Sequence, residues 1–132
     1  MSDSNGIKVL IVEDNKMNMT LLRDILSLNG YEIIEALNGA EGIGLVAEKT
    51  PDIVLMDLHL PGMDGITATR ILKADERFKD IPVLAITASA TNADKERIIA
   101  SGFDGCVTKP IVREVLLGEL RRFTGHKNVP VN

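Results

Sequence analysis

Three apolar runs of four residues, and one shorter run, end in side chains that can do chemistry. Val9-Leu10-Ile11-Val12 leads into Glu13-Asp14, Ile53-Val54-Leu55-Met56 into Asp57, and Val83-Leu84-Ala85-Ile86 into Thr87. Cys106-Val107-Thr108 leads into Lys109-Pro110. Two carboxylates about 4 Å apart repel by roughly 4 kcal/mol at an effective dielectric of 20. Three sharing one pocket raise one another's pKa values unless positive charge lies among them. Lys109 supplies one such charge, and a hard divalent cation supplies two. Mg²⁺ takes a few carboxylates together with waters or phosphate oxygens, and no soft ligand set for a transition metal accompanies these residues. A carboxylate beside a metal ion, a hydroxyl and a lysine is equipped as a nucleophile toward a phosphoryl group. The metal and Lys109 then face the equatorial oxygens during transfer. The implied chemistry is phosphoryl transfer onto an aspartate.

Residues spread over almost a hundred positions meet only if the fold gathers strand ends. The pattern predicts strands over 7–12, 31–36, 52–57, 81–87 and 104–108, alternating with five amphipathic segments. The first, third and fourth strands carry continuous aliphatic runs and suit the buried centre of a parallel sheet, whereas the second alternates and suits an edge. A first helix over 16–29 places Met17, Leu21, Ile25 and Leu28 on one stripe and stops at Asn29-Gly30. A second opens at Asn38, with Glu41 three residues on, and is expected to bury Ile43, Val46 and Ala47. The third follows Pro61-Gly62, with Asp64 as its cap and Ala68, Ile71 and Leu72 inward. The fourth covers about 91–101, its charged run 94–97 solvated, and the fifth runs from Ile111 to about Phe123. The order is (βα)5, and right-handed crossovers make it a doubly wound α/β sheet with helices on both faces. Ligands of such sheets bind beyond the carboxyl ends of the strands, where the strand order reverses. The expected organisation is one domain over 7–124, with a disordered N-terminus at 1–6 and a flexible tail at 125–132.

Composition removes several classes of function. The chain carries 15 basic and 19 acidic residues and a formal net charge of −4, which is unsuited to displacing counterions from nucleic acid. Aromatic residues make up 3%, too few for a base-stacking surface. Neither a membrane span of about 20 apolar residues nor a secretory signal is visible, so a cytoplasmic protein is expected. A lone cysteine, Cys106, excludes an internal disulfide. Glu13, Asp14 and Asp57 account for three of the four excess acidic charges, so the acidity is mostly local. Singly, each of the strand-end residues has an ordinary role as a solvated charge or a turn cap. Their joint placement is what sets them apart.

The stretches VLIVEDNKMN, DIVLMDLHLPGMDG, AITA and TKP resemble the signatures of bacterial response-regulator receiver domains, in order and in spacing, from residue 7 to about 123. The resemblance implies a CheY-like, flavodoxin-like fold with strand order 2-1-3-4-5. It implies that Asp57 is the phosphoacceptor, taking its phosphoryl group from a histidine kinase or a histidine phosphotransfer protein. Asp14, Asp57 and the main-chain carbonyl of His59 are implied as Mg²⁺ ligands, with Glu13 acting through a water. Thr87 is implied as the switch hydroxyl, Lys109 as its phosphoryl-pairing partner, and the Lys109-Pro110 bond as cis. The implied output is contact with a downstream protein through the face of the fourth helix, fifth strand and fifth helix. EDNKMNMTLLRDIL, LKADERFKDIPVLAITA and SGFDGCVTKPI are similar to the single-domain regulators of the DivK type. Receivers fused to hybrid histidine kinases share EDN followed by Asn18.

One position departs from the family pattern. Receivers carry Tyr or Phe three residues before the lysine, and Cys106 stands there instead. It is too small to swing a ring, so a signal from Thr87 is expected to travel through the backbone around Thr87-Ala88 and the fourth helix. His59 and Ser89 occupy positions that tune phosphoryl lifetime in the family. A Mg²⁺-dependent phosphohydrolase of the haloacid-dehalogenase type would need a D-x-D pair where this chain has Glu13-Asp14-Asn15, and a cap domain. An FMN carrier would need a hydroxyl-rich phosphate loop after the first strand. The chain has no P-loop and no G-x-G-x-x-G.

Overall fold

Side chains of a β-strand alternate between the two faces of the sheet, and in this chain both faces are apolar. In the computed structural model, which describes residues 6–89 and 91–125, five strands alternate with five helices. The strands are β1 (Lys8–Val12), β2 (Glu32–Ala36), β3 (Ile53–Asp57), β4 (Val83–Thr87) and β5 (Gly105–Thr108). The helices are α1 (Lys16–Leu28), α2 (Gly39–Lys49), α3 (Gly65–Lys73), α4 (Asn92–Ala100) and α5 (Arg113–Thr124). All pairings are parallel, in the order β2-β1-β3-β4-β5. This is the doubly wound, CheY-like fold that the resemblance implies, with the alternating strand β2 at an edge.

Val9, Ile11, Ile53, Leu55, Leu84, Ile86 and Val107 pack on one face against α1 and α5, through Leu22, Leu26, Leu116 and Leu120. Leu10, Val12, Val54, Met56, Val83 and Ala85 pack on the other against α2, α3 and α4, through Val46, Ala68, Leu72 and Ile98. Four helices begin at side-chain caps: Asn15, Asn38, Asp64 and Thr91 each accept from a backbone N–H three residues on. Glu41 completes the second cap by accepting from the Leu37 amide at 2.7 Å. Gly125, in the left-handed region at φ 79°, closes α5. The expected disordered start and flexible tail otherwise lie outside the described residues.

The helix faces depart from expectation in three places. On α1 the buried residues are Met19, Leu22 and Leu26, whereas Met17 and Leu28 are 80% and 86% exposed and Leu21 is exposed as well. Seven apolar residues of α1 spread over an arc of roughly 200° at 100° per residue, about twice what a core-facing stripe requires. The sheet covers only one half of it. On α2, Ala47 is exposed and Ile43 half-buried, while Gly42 closes onto Val12 of the sheet and Gly39 onto Met63 and Ala68. On α3, Ile71 faces outward and Thr69 inward. The fifth helix begins at Arg113, two residues later than expected.

Candidate functional site

Register brings the strand ends level. Val12 pairs with Met56, which puts Glu13 beside Asp57. Asp57 pairs with Ile86, and Thr87 with Thr108, one residue before Lys109. The Lys109 amide donates to the Thr87 carbonyl at 2.7 Å, and the Lys109-Pro110 bond is cis. Glu13, Asp57 and Thr87 are buried, at 1%, 3% and 3% exposure, while Asp14 is exposed at the rim.

Two of the carboxylates share one ammonium. Lys109 Nζ donates to Asp57 Oδ2 at 3.1 Å and lies 3.9 Å from Glu13 Oε1. Asp57 Oδ1 accepts from the His59 amide at 2.9 Å, so both oxygens of this carboxylate are engaged. Glu13 Oε2 accepts from the Asn15 amide at 3.1 Å, but its Oε1 is buried with no hydrogen-bond partner. An unpaired buried carboxylate oxygen costs free energy. Burial, reinforced by the Asp57 carboxyl, pushes the Glu13 carboxyl up to about 7. One carboxylate oxygen from each of Glu13, Asp14 and Asp57 falls within 4.8 Å of the others. Three carboxylates, one with an oxygen that accepts no hydrogen bond, against the Lys109 ammonium suit a divalent cation of the Mg²⁺ kind.

The remaining predicted residues surround this cluster. Thr87 Oγ1 accepts from the Ser89 amide at 3.1 Å. The His59 side chain is exposed, and its residue contributes to the site through the backbone. Cys106 is half-buried against the core layer of α2, α3 and α4, a small packing residue on β5. Next to Thr87 opens a cleft of about 370 Å³, lined by His59, Asp64, Ser89, Asp94 and Arg97 among others.

Gly65 is a residue that the motifs did not single out. A Cβ there would lie 2.3 Å from the Asp57 carbonyl oxygen and 3.0 Å from Leu58 Cα, so α3 starts directly on the peptide that carries Asp57. The signal was present in the sequence: glycine in a first helical turn is a poor helix former and calls for a steric reason.

The sequence profile of the response regulator receiver domain family matches residues 9–121. The polar-differentiation response regulator DivK of Brucella anthropi is 41% identical over 117 residues, which cover 89% of this chain and 95% of that protein. Among solved structures, the receiver domain of the sensor histidine kinase PA1611 of Pseudomonas aeruginosa PAO1 superposes with a TM-score of 0.84 at 33% identity. It covers 91% of this chain and 98% of that one, and carries a magnesium ion coordinated in its active-site cleft. The receiver domain of the Saccharomyces cerevisiae regulator Ssk1, crystallised with the histidine phosphotransfer protein Ypd1, gives a TM-score of 0.85 at 28% identity. The match covers 93% of this chain and 92% of that one.

Proposed function

This chain belongs to the response regulator receiver domain family, and from that premise we propose that it accepts a phosphoryl group on Asp57 from a phosphohistidine donor in a Mg²⁺-dependent reaction. The observation that carries the reading is the cluster itself: three carboxylates gathered at one end of the sheet, two of them paired with Lys109, with Glu13 Oε1 left without a hydrogen-bond partner. The donor is a histidine kinase or a histidine phosphotransfer protein, and the output is contact with another protein. The stand-alone, DivK-like reading is supported by a relative matched over 95% of its length.

Asp14, Asp57 and the main-chain carbonyl of His59 would hold the Mg²⁺, with Glu13 reaching it through a water. When bound, the ion supplies positive charge for the transferring phosphoryl oxygens. The Asp57 carboxylate forms a bond to phosphorus as the phosphorus–nitrogen bond breaks, its electron pair returning to the donor's imidazole ring. The His59 amide and Lys109 Nζ fix the Asp57 carboxylate for that attack. Lys109 then pairs with the added charge, and the Thr87 hydroxyl donates to a phosphoryl oxygen. The chain thereby assists its own phosphorylation and dephosphorylation without turning over an independent substrate.

Two surfaces support the protein contacts. The uncovered half of the α1 arc begins three residues beyond Asp14, where Met17 and Leu21 join Lys16, Thr20 and Asp24 around a shallow cleft of about 430 Å³. Its place in the first turns of α1, shortly after Asp14 in the chain, suits a histidine-bearing donor helix. Ile99 on α4 and Val112 and Val115 at the start of α5 are about half exposed, which suits contact with a downstream protein.

Incubation with acetyl phosphate, with and without Mg²⁺, followed by intact mass, tests the reading. The expected result is a single Mg²⁺-dependent phosphoryl adduct, stable in acid and lost in alkali, that Asp57→Asn abolishes. An unmodified wild-type chain, or steady hydrolysis of phosphate esters, would overturn it.

A further inference from the structure

The loop after β4 is tied to α4 by a chain of hydrogen bonds that begins at Thr87. Thr87 Oγ1 accepts from the Ser89 amide at 3.1 Å, the Ser89 hydroxyl donates to Asp94 Oδ2, and the Asp94 amide donates to the Thr91 hydroxyl at 3.1 Å. The run 94–97, expected to be merely solvated, therefore includes one residue that faces the site. The Ser89 and Thr91 hydroxyls hold the Asp94 carboxyl below the usual carboxylate range, which keeps it an ionised acceptor. Arg97 makes only a long contact with its other oxygen, at 3.4 Å.

We propose that Asp94 is a positioning residue for Thr87, acting as a latch that holds the switch hydroxyl toward the loop until a phosphoryl group on Asp57 draws it away. The inference rests on the receiver reading above. Threonine is β-branched and stiff at χ1, so its hydroxyl moves between discrete rotamers. Among the described residues, the partner of Thr87 Oγ1 is the Ser89 amide. Turning the hydroxyl toward Asp57 takes Oγ1 away from that amide, and the Ser89–Asp94 bond keeps the amide in place. A group that stabilises only the loop-facing rotamer raises the cost of reaching the other, and its removal shifts the population toward the phosphoryl-bound form. α4 offers little resistance of its own, since Ile98 is its one buried residue.

Titration with beryllium fluoride, a stable mimic of the phosphoryl group, in the presence of Mg²⁺ tests the latch, with amide NMR shifts of Thr87 and Ser89 as the readout. Asp94→Ala is expected to tighten apparent binding about three- to tenfold. It should also move both amide signals of the free protein toward their positions in the bound wild type. Asp94→Asn keeps an acceptor for the Ser89 hydroxyl and should stay within about twofold of wild type by the same reckoning. Ser89→Ala should reproduce the alanine effect, and the double variant should add nothing further. Unchanged affinity in Asp94→Ala, or additive effects in the double variant, would overturn the latch while leaving the receiver reading intact. A purely structural role for Asp94 predicts lower thermal stability in Asp94→Ala without tighter binding. A wild-type chain that takes no beryllium fluoride overturns both.

Discussion

At the amino end of the sheet, Lys73 Nζ donates to the carbonyls of Lys79 and Ile81 and to Asp104 Oδ2, at 3.1, 2.8 and 2.8 Å. Asp104 Oδ2 in turn accepts from the Val83 amide at 2.8 Å. Nearby, Asp52 accepts from the Lys8 amide, and Lys8 Nζ donates to the Lys49 carbonyl. At the carboxyl end, three carboxylates cluster, Glu13 and Asp57 share the ammonium of Lys109, and one buried Glu13 oxygen has no hydrogen-bond partner. The two ends lie on the same strands and use the same residue types. Where charge and hydrogen bonding close, the residues staple elements together. Where they stay open, the fold has left room for a charge that arrives from outside. A lysine at each end is therefore the most direct probe of the difference.

Lys109→Met should reduce the initial rate of Mg²⁺-dependent labelling by acetyl phosphate about a hundredfold or more, the scale of losing one preorganised electrostatic stabiliser. Lys73→Met should label at close to the wild-type rate. Intact-mass time courses on both variants check this, and equal losses would erase the distinction between the ends.

Gly65→Ala tests how rigidly the open end is built. The added Cβ meets backbone at 2.3 Å, and neither the Asp57–Leu58 peptide nor the first turn of α3 can yield without displacing the phosphoacceptor. A loss of about 2–4 kcal/mol is expected, the upper range for single substitutions, together with slower labelling in the fraction that remains folded. Gly44→Ala on α2, where no atom lies within 4 Å of the new Cβ, is the matched control. It should gain about 0.5–1 kcal/mol. Urea denaturation of both variants measures the contrast.

These two glycines also mark how far the sequence alone could be read. The strand ends were legible because a parallel strand buried on both faces is a continuous aliphatic run, and the residue that ends the run announces itself. Glu13, Asp57, Thr87 and Lys109 were found that way, and the register brings them level. Helix phase was harder to read. On α1 the series Met17, Leu21, Ile25, Leu28 and the series Met19, Leu22, Leu26 both satisfy the helical period, and only the docking of α1 on the sheet decides between them. Gly65 and Asp94 were passed over for a related reason. Their roles depend on neighbours seven or eight and five residues away that local pattern does not reach, namely the Asp57–Leu58 backbone and the Ser89 hydroxyl.

Glu13 should make the metal-free protein's stability depend on pH in the direction opposite to most paired carboxylates. Its folded pKa of about 7 lies above the ordinary 4.5, so between those values the folded chain holds a proton that the unfolded chain has released. Stability therefore falls as pH rises from about 4.5 through about 7 and then levels off, a loss on the order of 3 kcal/mol. Glu13→Gln removes the titrating group and should flatten that slope in EDTA. In the wild type, added Mg²⁺ should recover stability above pH 7, because binding to the folded state alone stabilises it. Urea midpoints at pH 5 and pH 8, with EDTA or with Mg²⁺, read all three effects. A wild-type protein in EDTA that is more stable at pH 8 than at pH 5 would contradict this account of the open end.

The closed end should give the smallest response, and its size is informative. Lys73 and Asp104 keep side-chain exposures of 20% and 36%, so the pair is partly screened and the carbonyls of Lys79 and Ile81 can take water if the ammonium is removed. Lys73→Met retains most of the apolar stem beside Gly102 while deleting three hydrogen bonds. The expected cost is about 1–2 kcal/mol, below the sum for three fully buried bonds to a charged donor. Because its contacts are short hydrogen bonds, raising the salt concentration should change that cost little, whereas an exposed ion pair such as Lys79–Glu76 is expected to be screened. A urea midpoint that falls by this amount with an unchanged slope, while Mg²⁺ affinity stays at the wild-type value, would show that the amino-end staple holds the fold without tuning the site. A matching fall in Mg²⁺ affinity would show instead that the two ends are coupled through β4, and that the closed end shares in positioning Thr87.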